Sequence, residues 1–336
     1  MAAGETRVLR PKSLGGLLRL YARNPDAMLY AGGTEIVLQR RRGPGRVLGL
    51  SDKVIYLRSV PELSRISRTQ RFLDIGACLS VSRILSIGRN VLPSVLFQAL
   101  AGIGTPGIRN LVTLGGNLCA SSIRGDVRSA LSVIEAQLEL RSVAGARWLG
   151  VEEFFSSGDR PQLGSGEFVS RIRVPLDEWD VQYFRKFPLR DPAGQGSLCF
   201  AAVAHFPKDS LDAFHFCISA PGLPLVRRRE LEGRLKGARL PIPSRELEAL
   251  IQRLGVALEA GQGPAGQSGA GQSGAGRTGP AQALGGHVAE RQSPSGQPAS
   301  RQSGAGQGPS AYVRATAIRL FRSFFMGLNA RSLESR

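Results

Sequence analysis

The sequence predicts an α+β chain built from several lobes. Short apolar runs alternate with helix-period segments over residues 1–260. Two Gly-Gly turns each follow an extended run, and one low-complexity stretch gives way to a resumed apolar helix. At 336 residues there is enough chain for two or three compact lobes with their own cores.

Residues 1–60 read helix, strand, loop, helix, strand. Ser13 can cap a helix whose Leu14, Leu17, Leu18 and Tyr21 share one face. Met28–Ala31 is a short apolar strand running into Gly32-Gly33, and Lys53–Leu57 is the next strand. Residues 61–175 mix strands at Arg71–Ile75, Gln137–Arg141 and Phe168–Val174 with helices at Val81–Ile87, Pro93–Leu100 and Val127–Ala136. Beyond 176 the sequence predicts strands at Val181–Phe187 and Ala213–Ser219, then helices at Leu225–Leu235 and Ser244–Glu259. Of the fifty positions in 261–310, 42 are Gly, Ala, Ser, Gln or Pro, and Gln-Ser-Gly-Ala-Gly recurs at 267, 272 and 302. Such a segment cannot bury enough apolar surface to offset its ordering entropy, so it reads as a disordered insertion. After it, Val313, Ala317, Leu320 and Phe324 fall on one helical face that should dock back onto the body.

Composition narrows the function. Hydrophobic residues make up 42%, and no stretch approaches the roughly 18 apolar residues of a membrane helix. The segment Met1–Arg7 lacks the apolar core of a signal peptide, so a cytoplasmic protein is expected. Cys78, Cys119, Cys199 and Cys217 lie far apart without CxxC spacing and read as buried free thiols. No metal site is expected, and His205, His215 and His287 offer no obvious catalytic base. The net charge of +18 fits an acidic partner, a membrane surface, nucleic acid or an arginine-rich proteome. Runs such as Arg40–Arg42 and Arg227–Arg229 are short and carry no interleaved aromatics, which disfavours nucleic acid.

The turn Ala31-Gly32-Gly33-Thr34-Glu35 follows a strand. Two glycines there let backbone N–H groups approach a diphosphate, and Thr34 adds a hydroxyl; the plain alternative is a helix capped by Thr34. Thr113-Leu114-Gly115-Gly116-Asn117 is a second turn of the same kind after an extended run at Arg109–Val112. Two such turns suggest two lobes gripping one ligand. Asp126 could hydrogen-bond that ligand or cap the following helix. Gly102–Gly107 spells GxGxxG, but a helix precedes it and extended chain is expected after it, the wrong context for a doubly wound dinucleotide site.

The stretch Gly104-Thr-Pro-Gly-Ile-Arg-Asn-Leu-Val-Thr-Leu-Gly-Gly-Asn117, taken with the first turn, resembles the FAD-binding medium subunit of the molybdenum hydroxylases: xanthine dehydrogenases and carbon monoxide dehydrogenases. The likeness continues through Glu167–Pro175, Phe184–Phe187, Ile218–Arg227 and the helix after Tyr312. It implies a two-lobed FAD-binding fold of the vanillyl-alcohol-oxidase (PCMH-type) class at 1–60 and 61–175, and a C-terminal α+β domain at 176–336. Leu29, Tyr30, Ala31, Gly32, Gly33, Thr34, Glu35 and Ile36 would hold the diphosphate with Thr113, Leu114, Gly115, Gly116 and Asn117. Asp126 would contact the cofactor nearby, Ile103 would lie near the isoalloxazine, and Lys186 would place its charge at the flavin ring. The FAD would be non-covalent, since no His or Cys forms a flavinylation motif. The resemblance further implies a molybdenum-cofactor large subunit, a small subunit with two-iron two-sulfur clusters, and NAD or another acceptor. Two features depart from the family: Cys119–Asp126 lacks the usual proline, and 261–310 has no family counterpart. The rival readings are a self-sufficient FAD-dependent oxidoreductase of related fold and a basic, non-catalytic scaffold with degenerate turns.

Overall fold

The computed structural model describes residues 6–40, 50–120, 126–156, 161–191, 194–207, 210–220, 223–260 and 311–334. Three sheets organise them, drawn from residues 7–56, 66–175 and 181–226.

The first sheet is parallel. It is formed by β1 (Arg7–Leu9), β2 (Met28–Tyr30) and β3 (Lys53–Tyr56) in the order β1-β3-β2, with α1 (Leu14–Arg23) and α2 (Thr34–Arg40) between strands. Ser13 caps α1 by accepting from the Gly16 N–H at 3.2 Å. Leu17, Ile55, Leu57, Val60 and Leu63 make a small core, which Cys78 and Phe168 from the second sheet's segment complete. The two lobes therefore share apolar surface rather than merely abut.

The second segment runs β4 (Ile66–Arg68), β5 (Phe72–Gly76), α3 (Val81–Leu85), α4 (Ser94–Ala101), α5 (Pro106–Leu111), α6 (Leu114–Cys119), α7 (Arg128–Val133), β6 (Gln137–Ser142), β7 (Gly145–Gly150), α8 (Val151–Phe154) and β8 (Phe168–Pro175). Its sheet is antiparallel, in the order β4-β5-β8-β6-β7. One face packs on the helices. The other carries an ion ladder in which Arg173 holds Asp74 (2.8 Å) and Arg171 holds Glu139 (2.7 Å), while the Arg173 guanidinium lies over Trp148. Burial alone would raise the Glu139 carboxyl, but hydrogen bonds from Arg171, Arg141 and Ser170 outweigh it and hold it at about 2.

The third segment contains β9 (Val181–Asp191), β10 (Gly194–His205), β11 (Ala213–Ala220), β12 (Leu223–Val226), α9 (Arg229–Arg234), α10 (Ser244–Ala260) and α11 (Ala311–Glu334). The sheet order is β12-β11-β10-β9, antiparallel throughout. Both faces are covered. Leu198, Phe200 and Ala202 of β10 join Phe214, Phe321, Phe324 and Phe325 in the core under α11. Cys199, Ala201 and Val203 alternate with them and enter the core of the second segment. Arg227, its side chain 1% exposed, ties the two together: it donates to Glu232 (2.9 Å) on its own segment and to Glu152 and the Ser132 carbonyl (both 2.7 Å) on the other.

Several expectations need correction. Residues 109–112, expected to be extended, mostly belong to α5, because Thr105 caps a helix through Ile108 N–H. Thr113–Asn117 is a helix start and not an open turn. Leu225–Leu235 is not one helix: β12 ends at Val226 and α9 begins at Arg229. Strands β1, β4, β7 and β10 were not anticipated. The insertion at 261–310 lies outside the described residues; α10 and α11 on either side of it pack on each other. No helix among the described residues is long and apolar enough to cross a membrane.

Candidate functional site

Where the three segments meet, a cavity of about 1280 Å³ opens. It exceeds the roughly 300–1,000 Å³ of ordinary small-molecule pockets, and so has room for a dinucleotide. It is lined by Ala31–Ile36 of the first lobe, by Ile103, Thr113, Gly116, Asn117 and Asp126 of the second segment, and by Lys186, Leu189 and Ser197 of the third.

The first turn is built for close approach. A side chain on Gly32 would overlap the Leu111 carbonyl at the end of α5, so this glycine sets how closely the first lobe meets the second. Gly33 has φ +72°, a region that L side chains rarely adopt, and the Tyr30 hydroxyl occupies the space a Cβ would need. Immediately after, α2 begins. Val37 N–H donates to Gly33 O (2.9 Å), and the amides of Thr34 and Ile36 lie in the first turn, where no carbonyl four residues back belongs to the helix. Both residues line the cavity, and helix-start amides favour phosphate oxygens.

The second motif works differently from the sequence expectation. Leu114 N–H donates to Leu79 O (3.2 Å), Gly115 N–H to Ala77 O (2.9 Å) and Asn117 N–H to Thr113 O (2.9 Å), while Gly116 N–H reaches the Thr113 hydroxyl at 3.2 Å. These amides are therefore committed to the protein. Gly115 is required because a Cβ would lie 2.7 Å from the Ala77 Cβ. The motif packs α6 against the loop after β5 and so presents Thr113, Gly116 and Asn117 to the cavity. The Thr113 oxygen accepts from Gly116, which leaves its own proton to donate.

Tyr30 and Leu114 alone of the expected site residues do not line the cavity. Leu114 is fully buried in the second core, and Tyr30 fills the space behind Gly33. Tyr21, Leu57, Cys78 and Phe168, which form an apolar end of the cavity between the lobes, were not anticipated as site residues. Those residues read as ordinary core, and only the packing of one lobe on the other exposes them to a ligand. The GxGxxG pattern is not idle either. Ile103 and Gly104 line the wall, pinned by Arg109, whose Nη1 donates to the carbonyls of Ala101 (3.2 Å), Ile103 (2.9 Å) and Gly104 (2.9 Å). It joins helix to helix, α4 to α5, rather than strand to helix.

Charge at the site is sparse. Among the described lining residues Lys186 is the one cation, beside the acids Glu35 and Asp126. Lys186 Nζ stands 2.6 Å from Asp126 Oδ2 and also donates to the Gly102 carbonyl at 3.1 Å. Burial pushes the thiols of Cys78 and Cys119 up to about 12, so neither is a ready nucleophile. The described residues contain no group of three or more His, Cys, Asp or Glu placed to hold a metal ion. Helix-start amides, hydroxyls, apolar ends and one lysine make a donor set that fits an elongated, anionic dinucleotide.

Known proteins resolve which one. A sequence profile described as FAD binding domain in molybdopterin dehydrogenase matches residues 4–177. The nicotinate dehydrogenase FAD-subunit of Eubacterium barkeri is 36% identical over 176 residues, 49% of this chain and 56% of its own length, so the match spans little more than half of that relative. The xanthine dehydrogenase FAD-binding subunit of Escherichia coli O157:H7 is 28% identical over 247 residues, 72% of this chain and 82% of its own. A crystal structure of a Cu,Mo-CO dehydrogenase superposes with a TM-score of 0.68 over 96% of this chain and 97% of that one, at 18% identity, which establishes a shared fold. With both lobes inside the matched profile, the chain belongs to the family of FAD-binding domains of molybdopterin dehydrogenases.

Proposed function

We propose that this chain is the FAD-carrying electron-transfer subunit of a molybdenum-containing hydroxylase or dehydrogenase. One observation carries the reading: glycine turns from two lobes and a lysine from the third segment line a single dinucleotide-sized cavity. FAD bound there would supply the step between two-electron and one-electron chemistry. The amides of Thr34 and Ile36, with the hydroxyl of Thr113, would hold the diphosphate. Gly32 and Gly33 keep side chains out of its path. Ile103, Asp126 and Lys186 would bound the isoalloxazine end, and the apolar walls exclude water from it. Weakly acidic thiols at Cys78 and Cys119 support non-covalent attachment.

In this reading the molybdenum cofactor sits on a large partner subunit and two-iron two-sulfur clusters sit on a small one. Electrons enter from the clusters and leave to NAD or another acceptor. The names of the nicotinate and xanthine dehydrogenase relatives support such a division of labour. The test is purification of the chain from its source with whatever accompanies it. The expected result is a yellow complex containing molybdenum and iron, from which acid precipitation releases FAD into the supernatant. Colourless protein that does not take up added FAD, or flavin retained in the pellet, would count against the reading.

A further inference from the structure

Lys186 is not an isolated charge. It lies on β9, directly opposite Cys199 on β10 in the antiparallel register, so both side chains leave the sheet on one face. Asp126 spans the two. Its Oδ2 holds the lysine ammonium at 2.6 Å, and its Oδ1 accepts from the Cys199 thiol at 3.6 Å. The carboxylate side chain is 8% exposed and the lysine 28% exposed, and both residues line the cavity. Asp126 comes from the second segment and its two partners from the third, so the pair closes across the seam between them.

We propose that Asp126 is a positioning residue that sets the reduction potential of the bound flavin through Lys186. A free ammonium beside the ring would stabilise the extra negative charge of reduced flavin. Held at 2.6 Å by a shielded carboxylate and at 3.1 Å by the Gly102 carbonyl, the ammonium is anchored to the protein, with its protons engaged there rather than offered to the ring. The Gly102 carbonyl and the Cys199 thiol keep the pair closed: the first accepts from the ammonium, and the second donates to the other carboxylate oxygen. The flavin is thereby kept more reducing than a lone lysine would leave it. This rests on the proposed FAD reading, with the isoalloxazine at the Lys186 end.

The test is a double-mutant cycle on the full chain loaded with FAD, using Asp126→Asn, Lys186→Met and both together. Each is titrated anaerobically against an indicator dye of known potential, with circular dichroism confirming the fold. Asp126→Asn should raise the ratio of reduced to oxidised flavin at fixed poise about tenfold, roughly 30 mV for a two-electron couple. In the Lys186→Met background the same change should move the ratio less than about twofold, because the group through which it acts is gone. Where the asparagine variant does not fold, Asp126→Ser, smaller and also uncharged, takes its place in the cycle. Equal shifts in both backgrounds would mean that Asp126 acts on the flavin directly and would overturn the proposal. So would FAD that binds normally while neither variant alters its potential, since the ring would then lie elsewhere. A chain that binds no FAD at all instead sinks the functional reading beneath it.

Discussion

Gly33 combines a positive φ with a neighbour, the Tyr30 hydroxyl, already standing where its side chain would go. Gly33→Val should therefore lower FAD affinity by more than about tenfold while leaving far-ultraviolet circular dichroism largely intact; flavin fluorescence on titration reads the loss. Thr113 has a double role that its place in the sequence did not reveal. Thr113→Val removes a hydroxyl that caps α6 and could also donate to phosphate. The cap is worth about 0.5–2 kcal/mol in the unliganded protein. A lost hydrogen bond to a charged oxygen costs about 1.5–3 kcal/mol, roughly 10- to 150-fold in affinity. Thr113→Ser should recover both, and a melting curve beside the FAD titration separates them. A valine variant with unchanged FAD affinity would remove Thr113 from the phosphate site. On the outer face, Glu139 titrates near 2 when folded and near 4.3 when unfolded. Its depressed value contributes stability that is complete above about pH 4.3 and is lost as pH falls towards 2. Glu139→Gln should lower the melting temperature at pH 7 and bring it closer to that of the parent protein in strong acid.

At the scale of elements, what could be read in the sequence followed the clarity of each local signal. Strands such as β5, β6 and β8 stood out as short apolar runs between polar breaks, and α1 and α11 by their spacing. The strand β10 escaped notice because it is buried on both faces, so Leu198–Ala204 shows no alternation to read. The edge strand β4 is exposed along its whole length and carries almost no hydrophobic signal. Helix α5 was mistaken for extended chain and α6 for an open turn because they are only six residues each and one contains Gly115-Gly116; their threonine caps decide the matter, and a cap is visible only beside the amide it bonds. The stretch 261–310 illustrates the opposite case, a segment whose composition is its whole message. Replacing 261–310 with a short Gly/Ser linker should leave bound FAD per chain unchanged, measured by absorbance after gel filtration. A large loss of flavin would show that the insertion supports the fold.

The whole molecule depends on how its three segments are held together, and this the sequence could not show. The site residues were legible as motifs, but their meeting in one cavity is a property of packing across seams. Arg227 is the test of one such seam. It is buried, bonded to Glu232 on its own side and to Glu152, Glu135 and a carbonyl on the other. Arg227→Met would strand the buried Glu232 without its main counter-charge, at a cost of about 3–5 kcal/mol. A melting temperature lowered by several degrees is the expected result, and an unchanged one would mean that the seam holds without it. The cavity's charge inventory has a further consequence, for ionic strength. A chain of net charge +18 would ordinarily bind an anionic ligand through its cations and lose it in salt. Here the described lining holds one lysine, already paired, and on the proposed reading the phosphates would be held by backbone amides. FAD affinity should thus change by less than about threefold between 50 and 500 mM salt, roughly 13 Å to 4 Å in screening length. Association with an acidic partner subunit over the basic exterior should weaken steeply over the same range. Salt would then strip the complex into subunits while each copy of this chain stays yellow.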